Sequence, residues 1–384
     1  IGIANRGHLS KVSTPFDLPL ESTTCQFCAA CVQACPVGAL IEKTRIGKGK
    51  LKDFTKTDTT CAYCGVGCNL SLYKDHHNNL IMAKGITGEG SSVNGRTCVK
   101  GRYGHEYTQH PDRLTTPLIR KNGVLEPATW EEALSYTAQR LHEIKAKYGP
   151  DSIGLLGSSR CTNEDNYAIM KFARATIGTN NVDNCARLCH SSTVAGLAKS
   201  FGAGAATNSY SDFNASDVYF DIGSNTTETH PVIAQIMKEH LRKSDCILIV
   251  CDPRKTDISK YAKLHLQHTP GTDVALLNGI MKIILDEHLE NSKFIEEHVE
   301  GFETFRQKVN DYPLEKVAQI TGVKAELIKE AAMIIGKAKS MMTFYSMGIT
   351  QHSTGVDNVL SIANLSLLTG NLGKPGAGIM ALRG

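Results

Sequence analysis

Asp217-Val218-Tyr219-Phe220-Asp221-Ile222 and Cys246-Ile247-Leu248-Ile249-Val250-Cys251 are the two runs whose reading decides the fold class. The second has no charged interruption, as expected of a strand covered on both faces. Between them, Pro231 to Arg242 reads as a helix. The alternation continues outward. Helices are predicted at about 272–289, 293–310, 313–320 and 324–337, a strand near Met342 to Ser346, and a helix near Val356 to Leu368. Upstream, Thr129-Trp130-Glu131-Glu132 is a capping box that opens an amphipathic helix to about Tyr148, ended by Gly149-Pro150. Ser152 to Leu156 reads as a short buried strand, and Thr162 to Ile177 as a helix stopped by Gly178. Strands alternating with helices predict an α/β, doubly wound architecture: a mostly parallel sheet with helices on both faces. There is no internal repeat of solenoid length.

The chain has 384 residues, 41% hydrophobic and 21% charged, enough for roughly two to three domains that each bury a core. With 34 Gly and 12 Pro it is neither collagen-like nor disordered. No stretch approaches the ~20 apolar residues of a membrane span. A formal charge of +4 is too mild to argue for nucleic acid. The informative number is 13 cysteines, eight of them in two runs before residue 100. An odd count in a large α/β chain does not suit a disulfide framework; clustered thiols point to metal binding in a reducing compartment, hence a cytoplasmic setting. The chain opens Ile1-Gly2-Ile3 without Met and stops at Ala381-Leu382-Arg383-Gly384, which reads as an internal piece of a longer polypeptide.

Cys25-x2-Cys28-x2-Cys31-x3-Cys35-Pro36 matches the bacterial ferredoxin run, in which three thiolates cap one cubane and the fourth ligates a neighbouring cluster. The remaining ligands of those two clusters are expected upstream of Ile1. A basic connector follows, with Lys43, Arg45, Lys48, Lys50, Lys52 and Lys56, read as a solvated linker. Cys61-x2-Cys64-x3-Cys68, completed by Cys98, supplies four thiolates for a [4Fe-4S] cluster; a four-Cys zinc site is the alternative. Lys100, two residues past Cys98, is either a surface lysine or a cation that raises the cluster's potential and bridges it to a second redox centre.

The second run, followed by Asn94-Gly95-Arg96-Thr97-Cys98-Val99-Lys100-Gly101, resembles the opening of the molybdopterin-dependent oxidoreductases. His110-Pro111-Asp112-Arg113-Leu114, Thr129-Trp130-Glu131-Glu132-Ala133 and Leu368-Thr369-Gly370-Asn371-Leu372-Gly373 fit the same family. The resemblance covers about residues 60–384; the upstream part is similar to the iron–sulfur region of complex I's large soluble subunit and of NAD-linked formate dehydrogenases. It implies four divisions: a ferredoxin-type segment and linker at 1–59, a [4Fe-4S] domain at 60–115, and two α/β pterin-binding domains at 116–184 and 185–384. The C-terminal part of the family fold lies beyond these. It also implies a molybdenum or tungsten ion held by bis-molybdopterin guanine dinucleotide.

Within the family, Asn184-Cys185-Ala186-Arg187-Leu188-Cys189-His190 selects the formate dehydrogenases, where a Cys or selenocysteine followed by His is the protein ligand to the metal. The resemblance therefore gives Cys189 as metal ligand, His190 as a proton- or hydride-handling group and Arg383 as the clamp on the formate carboxylate, with Lys100 on the electron path. Read alone, Cys189 is equally a buried structural thiol, His190 a core imidazole and Arg383 a surface arginine. Cys161, Cys185, Cys246 and Cys251 match no ligand spacing and read as small core residues. Dinucleotides bind at the carboxyl ends of parallel strands. Two loops fit: Gly223-Ser224-Asn225 with Glu228 nearby, and Asp252-Pro253-Arg254. Gly271-Thr272-Asp273 opens the next helix, and in the family a matching Asp reads guanine. No Gly-x-Gly-x-x-Gly follows a strand, so if NAD is the final acceptor another subunit should bind it; the resemblance implies flavin/NAD, ferredoxin-linked or hydrogenase subunits as electron-transfer partners. The competing readings are another molybdopterin reductase, such as a nitrate reductase, and a non-catalytic electron-transfer subunit of a complex I-like assembly.

Overall fold

The computed structural model describes residues 1–384. The chain forms two compact units: Ile1–Tyr63 with Gly67–Cys185, and Cys64–Val66 with Ala186–Gly384.

The second unit is built on a five-stranded sheet: β1 (Val218–Ile222), β2 (Ile247–Cys251), β3 (Leu264–Leu266), β4 (Met341–Tyr345) and β5 (Gly378–Ala381). All pairings are parallel, in the order β3-β2-β1-β4-β5. The connections leave β1 first to one side and then to the other, so the sheet has a switch point between β1 and β4, where α/β sheets open a crevice at the strands' carboxyl ends. β1 and β4 are buried along their whole length, and apart from Asp221 and Thr343 their side chains are those of a strand covered on both faces. Helices α1 (Ser191–Phe201), α2 (Pro231–Lys243), α3 (Asp273–Asp286), α4 (Ala325–Lys337) and α5 (Gly355–Leu368) surround it. Leu276, Ile280 and Met281 of α3, Ile328 of α4 and Ile362 of α5 pack with Phe220 and Ile249 of the sheet into one core.

The predicted elements of this unit recur within a few residues of their expected ends, with one exception. The stretch 293–310 is two helices, Ser292–His298 and Phe302–Val309, because Gly301 takes φ +71° between them, a left-handed conformation that ends a helix.

The first unit has shorter elements. Thr55–Thr60, Asn69–Lys74 and Leu80–Gly85 form a three-stranded antiparallel sheet. Val99–Tyr103 is a one-turn helix that starts just after Cys98. The capping box holds: the Thr129 hydroxyl accepts from the Glu132 amide, and the Thr129 amide donates to the Glu132 carboxylate at 2.8 Å, at the head of the helix Trp130–Tyr148. The helix predicted at 162–177 is α-helical over Asn163–Lys171 and widens to a π turn over Phe172–Ile177 before Gly178. The strand expected at 152–156 is Leu155–Gly157, paired only with Val182–Asn184, so Leu156 is exposed rather than buried. No helix is long and apolar enough to cross a membrane.

Candidate functional site

The carboxyl ends of β1, β2 and β4 converge on a cavity of about 240 Å³ within the second unit. Gly223 and Asn225 follow β1, Asp252, Pro253 and Arg254 follow β2, and Ser346, Met347 and Gly348 follow β4; His268 and Asp273 complete the wall. Gly223 has φ +59°, and a Cβ there would meet the Gly348 carbonyl carbon at 2.8 Å, so only glycine allows these two loops to touch. The Gly348 amide donates to the Gly223 carbonyl at 3.0 Å. Asp252 accepts from the Arg254 amide at 2.8 Å. Asp273, at the N-terminus of α3, pairs through one oxygen with His268 Nε2 at 2.9 Å. Its other oxygen, His268 Nδ1 and the Asn225 side-chain oxygen are buried without a partner. Buried polar atoms normally have one, so the wall keeps donors and acceptors for a polar ligand. Of the residues expected here, Gly223, Asn225, Asp252, Arg254 and Asp273 line the cavity; Glu228 is exposed and Gly271, at φ +84°, shapes the turn before α3, and neither lines it. Sequence reasoning missed His268 and the loop after β4, because neither carries a recognisable spacing.

Cys189 ends the one-turn helix Ala186–Cys189, is half-buried, and its carbonyl accepts from the Thr350 hydroxyl at 2.5 Å. His190 is buried. Its Nε2 lies 3.2 Å from the Leu382 carbonyl and its Nδ1 2.9 Å from Thr193 Oγ1. A carbonyl only accepts, so Nε2 carries the proton. Burial, and then the positive charge of Arg383, push the imidazole down to about 4, so the ring is neutral and Nδ1 accepts from Thr193. That hydroxyl in turn accepts from Tyr345 at 3.0 Å. The Leu382 carbonyl also takes the Ser346 hydroxyl at 3.0 Å. The residue after Cys189 thus holds the residue before Arg383. The Arg383 guanidinium donates to the Gly204 carbonyl and its own carbonyl accepts from the Gly65 amide at 2.8 Å and from His230 Nε2 at 2.7 Å. The sequence did not single out His230, which stands just before the helix that opens at Pro231.

In the first unit, Cys61 follows one strand and Cys68 precedes the next, and the Cys61 amide donates to the Cys68 carbonyl at 2.8 Å. Cys68 and Cys98 are buried, Cys61 and Cys64 half-buried, and none of the four is in a disulfide. A Cβ on Gly101 would sit 3.4 Å from the Cys61 sulfur, so the backbone passes close to it. Lys100 is half-buried on the same short helix as Gly101. Cys31 lies on the turn Ala30–Ala34, with Cys25, Cys28 and Cys35 half-buried around it. The Leu40 amide, then those of Val37, Ala39 and Gly38, hold the Cys35 thiol below its ordinary value, the environment a thiolate ligand needs. Four thiolates are the donor set both of a [4Fe-4S] cubane and of a four-Cys zinc site. Thr97 donates to the Cys28 carbonyl at 2.9 Å, which ties the two runs together. Of the four unassigned cysteines, Cys251 is buried and Cys246 half-buried, whereas Cys161 and Cys185 are exposed, contrary to the core reading. They sit on loops outside the only partly covered β-pair at Leu155–Gly157.

Residues 113–383 match the family model described as molybdopterin oxidoreductase, residues 54–110 the molybdopterin oxidoreductase Fe4S4 domain, and residues 20–41 a 4Fe-4S binding domain. The chain is 47% identical over 328 residues to the F420-dependent formate dehydrogenase 1 subunit alpha of Methanococcus maripaludis, a match covering 85% of this chain and 47% of that one. It is 43% identical over 336 residues to formate dehydrogenase H of Escherichia coli, covering 86% and 46%. Among solved structures it resembles acetylene hydratase from Pelobacter acetylenicus, with a TM-score of 0.74 and 25% identity, covering 85% of this chain and 45% of that one. The chain spans about half the length of these relatives.

Proposed function

The chain belongs to the molybdopterin oxidoreductase family, and on that premise we propose that it carries the formate-oxidising site of a formate dehydrogenase alpha subunit. The observation that supports this most is the bond from His190 to the Leu382 carbonyl, which joins the neighbour of Cys189 to the neighbour of Arg383. Formate oxidation yields CO2, one proton and two electrons. When bound, the molybdenum or tungsten bis-pterin centre supplies the two-electron acceptor, and the iron–sulfur clusters pass electrons on singly. Cys189 would hold the metal. Gly223, Asn225, Asp252, Arg254 and Asp273 would hold a pterin guanine dinucleotide, the free Asp273 oxygen accepting from a base N–H. Arg383 pairs with the carboxylate and orients its C–H bond. His190, with both ring nitrogens engaged, fixes the backbone that carries Arg383. Cys61, Cys64, Cys68 and Cys98 would hold one [4Fe-4S] cluster, with Lys100 on its electron path, and Cys25, Cys28, Cys31 and Cys35 would contribute to the ferredoxin-type clusters. The four divisions at 1–59, 60–115, 116–184 and 185–384 follow these sites. Electrons then leave to partner subunits, in a cytoplasmic setting that suits so many cysteines outside disulfides.

The test is formate-dependent viologen reduction by the protein purified with its cofactors under anaerobic conditions. Cys189→Ser should abolish it while both iron–sulfur signals persist, and Arg383→Ala should chiefly raise the formate KM. Full activity in Cys189→Ser overturns the reading. Absence of molybdenum and tungsten in an inactive protein with intact clusters moves it to an electron-transfer subunit.

A further inference from the structure

His230 stands between the two cavities of the second unit. Thr229, beside it, lines the cavity at the strands' carboxyl ends. His230 itself lines a second cavity of about 300 Å³ with Gly65, Val66, Tyr210, Leu382 and Arg383. Its ring spans the gap: Nε2 donates to the Arg383 carbonyl at 2.7 Å, which leaves Nδ1 to accept from the Thr229 hydroxyl at 2.9 Å, and that hydroxyl also lies 3.1 Å from the Asn225 carbonyl. The Arg383 carbonyl has two lone pairs and accepts from two sources, His230 Nε2–H and the Gly65 amide. Gly65 is the residue after Cys64. The tip of the second cysteine run is therefore seated in the second unit by two bonds, the other being Tyr210 to the Val66 carbonyl at 2.9 Å. Room for it exists only because position 65 has no side chain: a Cβ would stand 2.8 Å from the Arg383 oxygen.

We propose that His230 is a positioning residue that locks three parts to one another through the Arg383 carbonyl: the Asn225–Thr229 wall of the dinucleotide cavity, the arginine that holds the substrate carboxylate, and the Cys64–Val66 tip that presents a cluster thiolate. The roles of Arg383 and Cys64 rest on the function proposed above; the joint itself does not. Removing the ring leaves the Arg383 oxygen with one donor and lets both the guanidinium and the Cys64 tip shift.

The experiment compares the cofactor-loaded wild type with His230→Ala, His230→Gln and Gly65→Ala. Gln offers an N–H near the position of Nε2 and should restore the bond to Arg383. His230→Ala should raise the formate KM about tenfold, the scale of one buried hydrogen bond, with a smaller change in kcat. It should also speed hydrogen exchange at the Gly65 amide and shift the spin-resonance spectrum of the reduced cluster. His230→Gln should recover most of each change, and Gly65→Ala should reproduce the spectral shift with the imidazole in place. An unchanged KM together with unchanged Gly65 exchange in His230→Ala overturns the proposal. So does equal damage in His230→Gln. If His230→Ala fails to fold, Gly65→Ala with a wild-type cluster spectrum overturns it instead. A wild type inactive with formate removes the formate reading alone, because Gly65 exchange and the cluster spectrum still decide the joint.

Discussion

The two units differ in how much apolar core they carry and in what their largest buried side chains are. In the second, the core is an apolar cluster drawn from residues 197 to 379, with Phe220, Ile249, Ile280 and Ile362 fully buried. In the first, the largest fully buried side chain is Arg102. Its guanidinium lies 3.7 Å from Glu42, donates to the Ala83 carbonyl at 2.6 Å, and reaches Gln33 at 2.7 Å and Thr97 at 3.2 Å. Gln33 in turn exchanges two bonds with the Gly85 backbone. The helix Trp130–Tyr148 buries no residue at all. Hydrophobic transfer stabilises the second unit. The first has little of that to draw on and depends on a polar network and on the proposed cluster thiolates, whose ligation is folding free energy.

The largest effect should follow from breaking that dependence. Stripping iron from the loaded protein with a chelator should make the strands Thr55–Thr60, Asn69–Lys74 and Leu80–Gly85 exchange their amides freely. β1 and β2 should stay protected in the same sample. Equal protection of both sheets after iron loss would show that the first unit needs no cluster to fold.

Next comes Arg102→Met. Burial raises the Glu42 carboxyl and lowers the Arg102 guanidinium, each outweighing the pull of its partner. Removing the arginine leaves a buried carboxyl without its countercharge and takes a donor from the Ala83 carbonyl, Gln33 and Thr97, a loss of about 3–5 kcal/mol. The denaturation midpoint followed at the cluster absorbance should fall accordingly. Ile280→Ala is the matching break in the other core, at about 2–5 kcal/mol. It should lower the transition of β1 and β2 and leave the cluster transition in place. A shift of both transitions by either variant would mean that the two units melt as one.

The same contrast explains what could be read from the sequence. β1, β2, β4 and the helices around them announce themselves because a doubly covered sheet demands largely apolar runs, here broken only by Asp221 and Thr343, and helices of 3.6-residue period. The strands of the first unit do not: Thr55–Thr60 is entirely polar and exposed, and its pairing is set by the cysteine loop that joins it to Asn69–Lys74. β3 and β5 are too short, at three and four residues, to show a period. In the site, Cys189, His190 and Arg383 were reachable through motif, and the β1 and β2 loops through strand ends. His230, His268 and the loop after β4 were not, since their role comes from pairing with backbone and side chains far away in sequence. Arg102 is the clearest case, one more basic residue in a polar stretch until the fold closes over it.

Asp221 sharpens the comparison, because it is the second unit's counterpart to Arg102 without a countercharge. It is the fourth of the five residues of β1. One oxygen accepts from the Thr226 hydroxyl at 2.9 Å and the other is buried with no partner. Burial, with a further push from the negative charge of Asp252, raises its carboxyl from 3.8 to about 8. The folded chain therefore keeps a proton that the unfolded chain has lost between about pH 4 and pH 8. Unfolding in that window releases the proton, so stability is full below the lower value and drains away as pH rises toward the upper one. The slope from this group is up to about 1.4 kcal/mol per pH unit. Asp221→Asn keeps the shape and cannot ionise. Its second unit should show a flatter dependence of urea midpoint on pH between 5 and 7 and should gain on the wild type as pH rises. Parallel curves for the two proteins would mean that Asp221 stays ionised in the fold, and that this unit, like the first, has found a way to keep a buried charge.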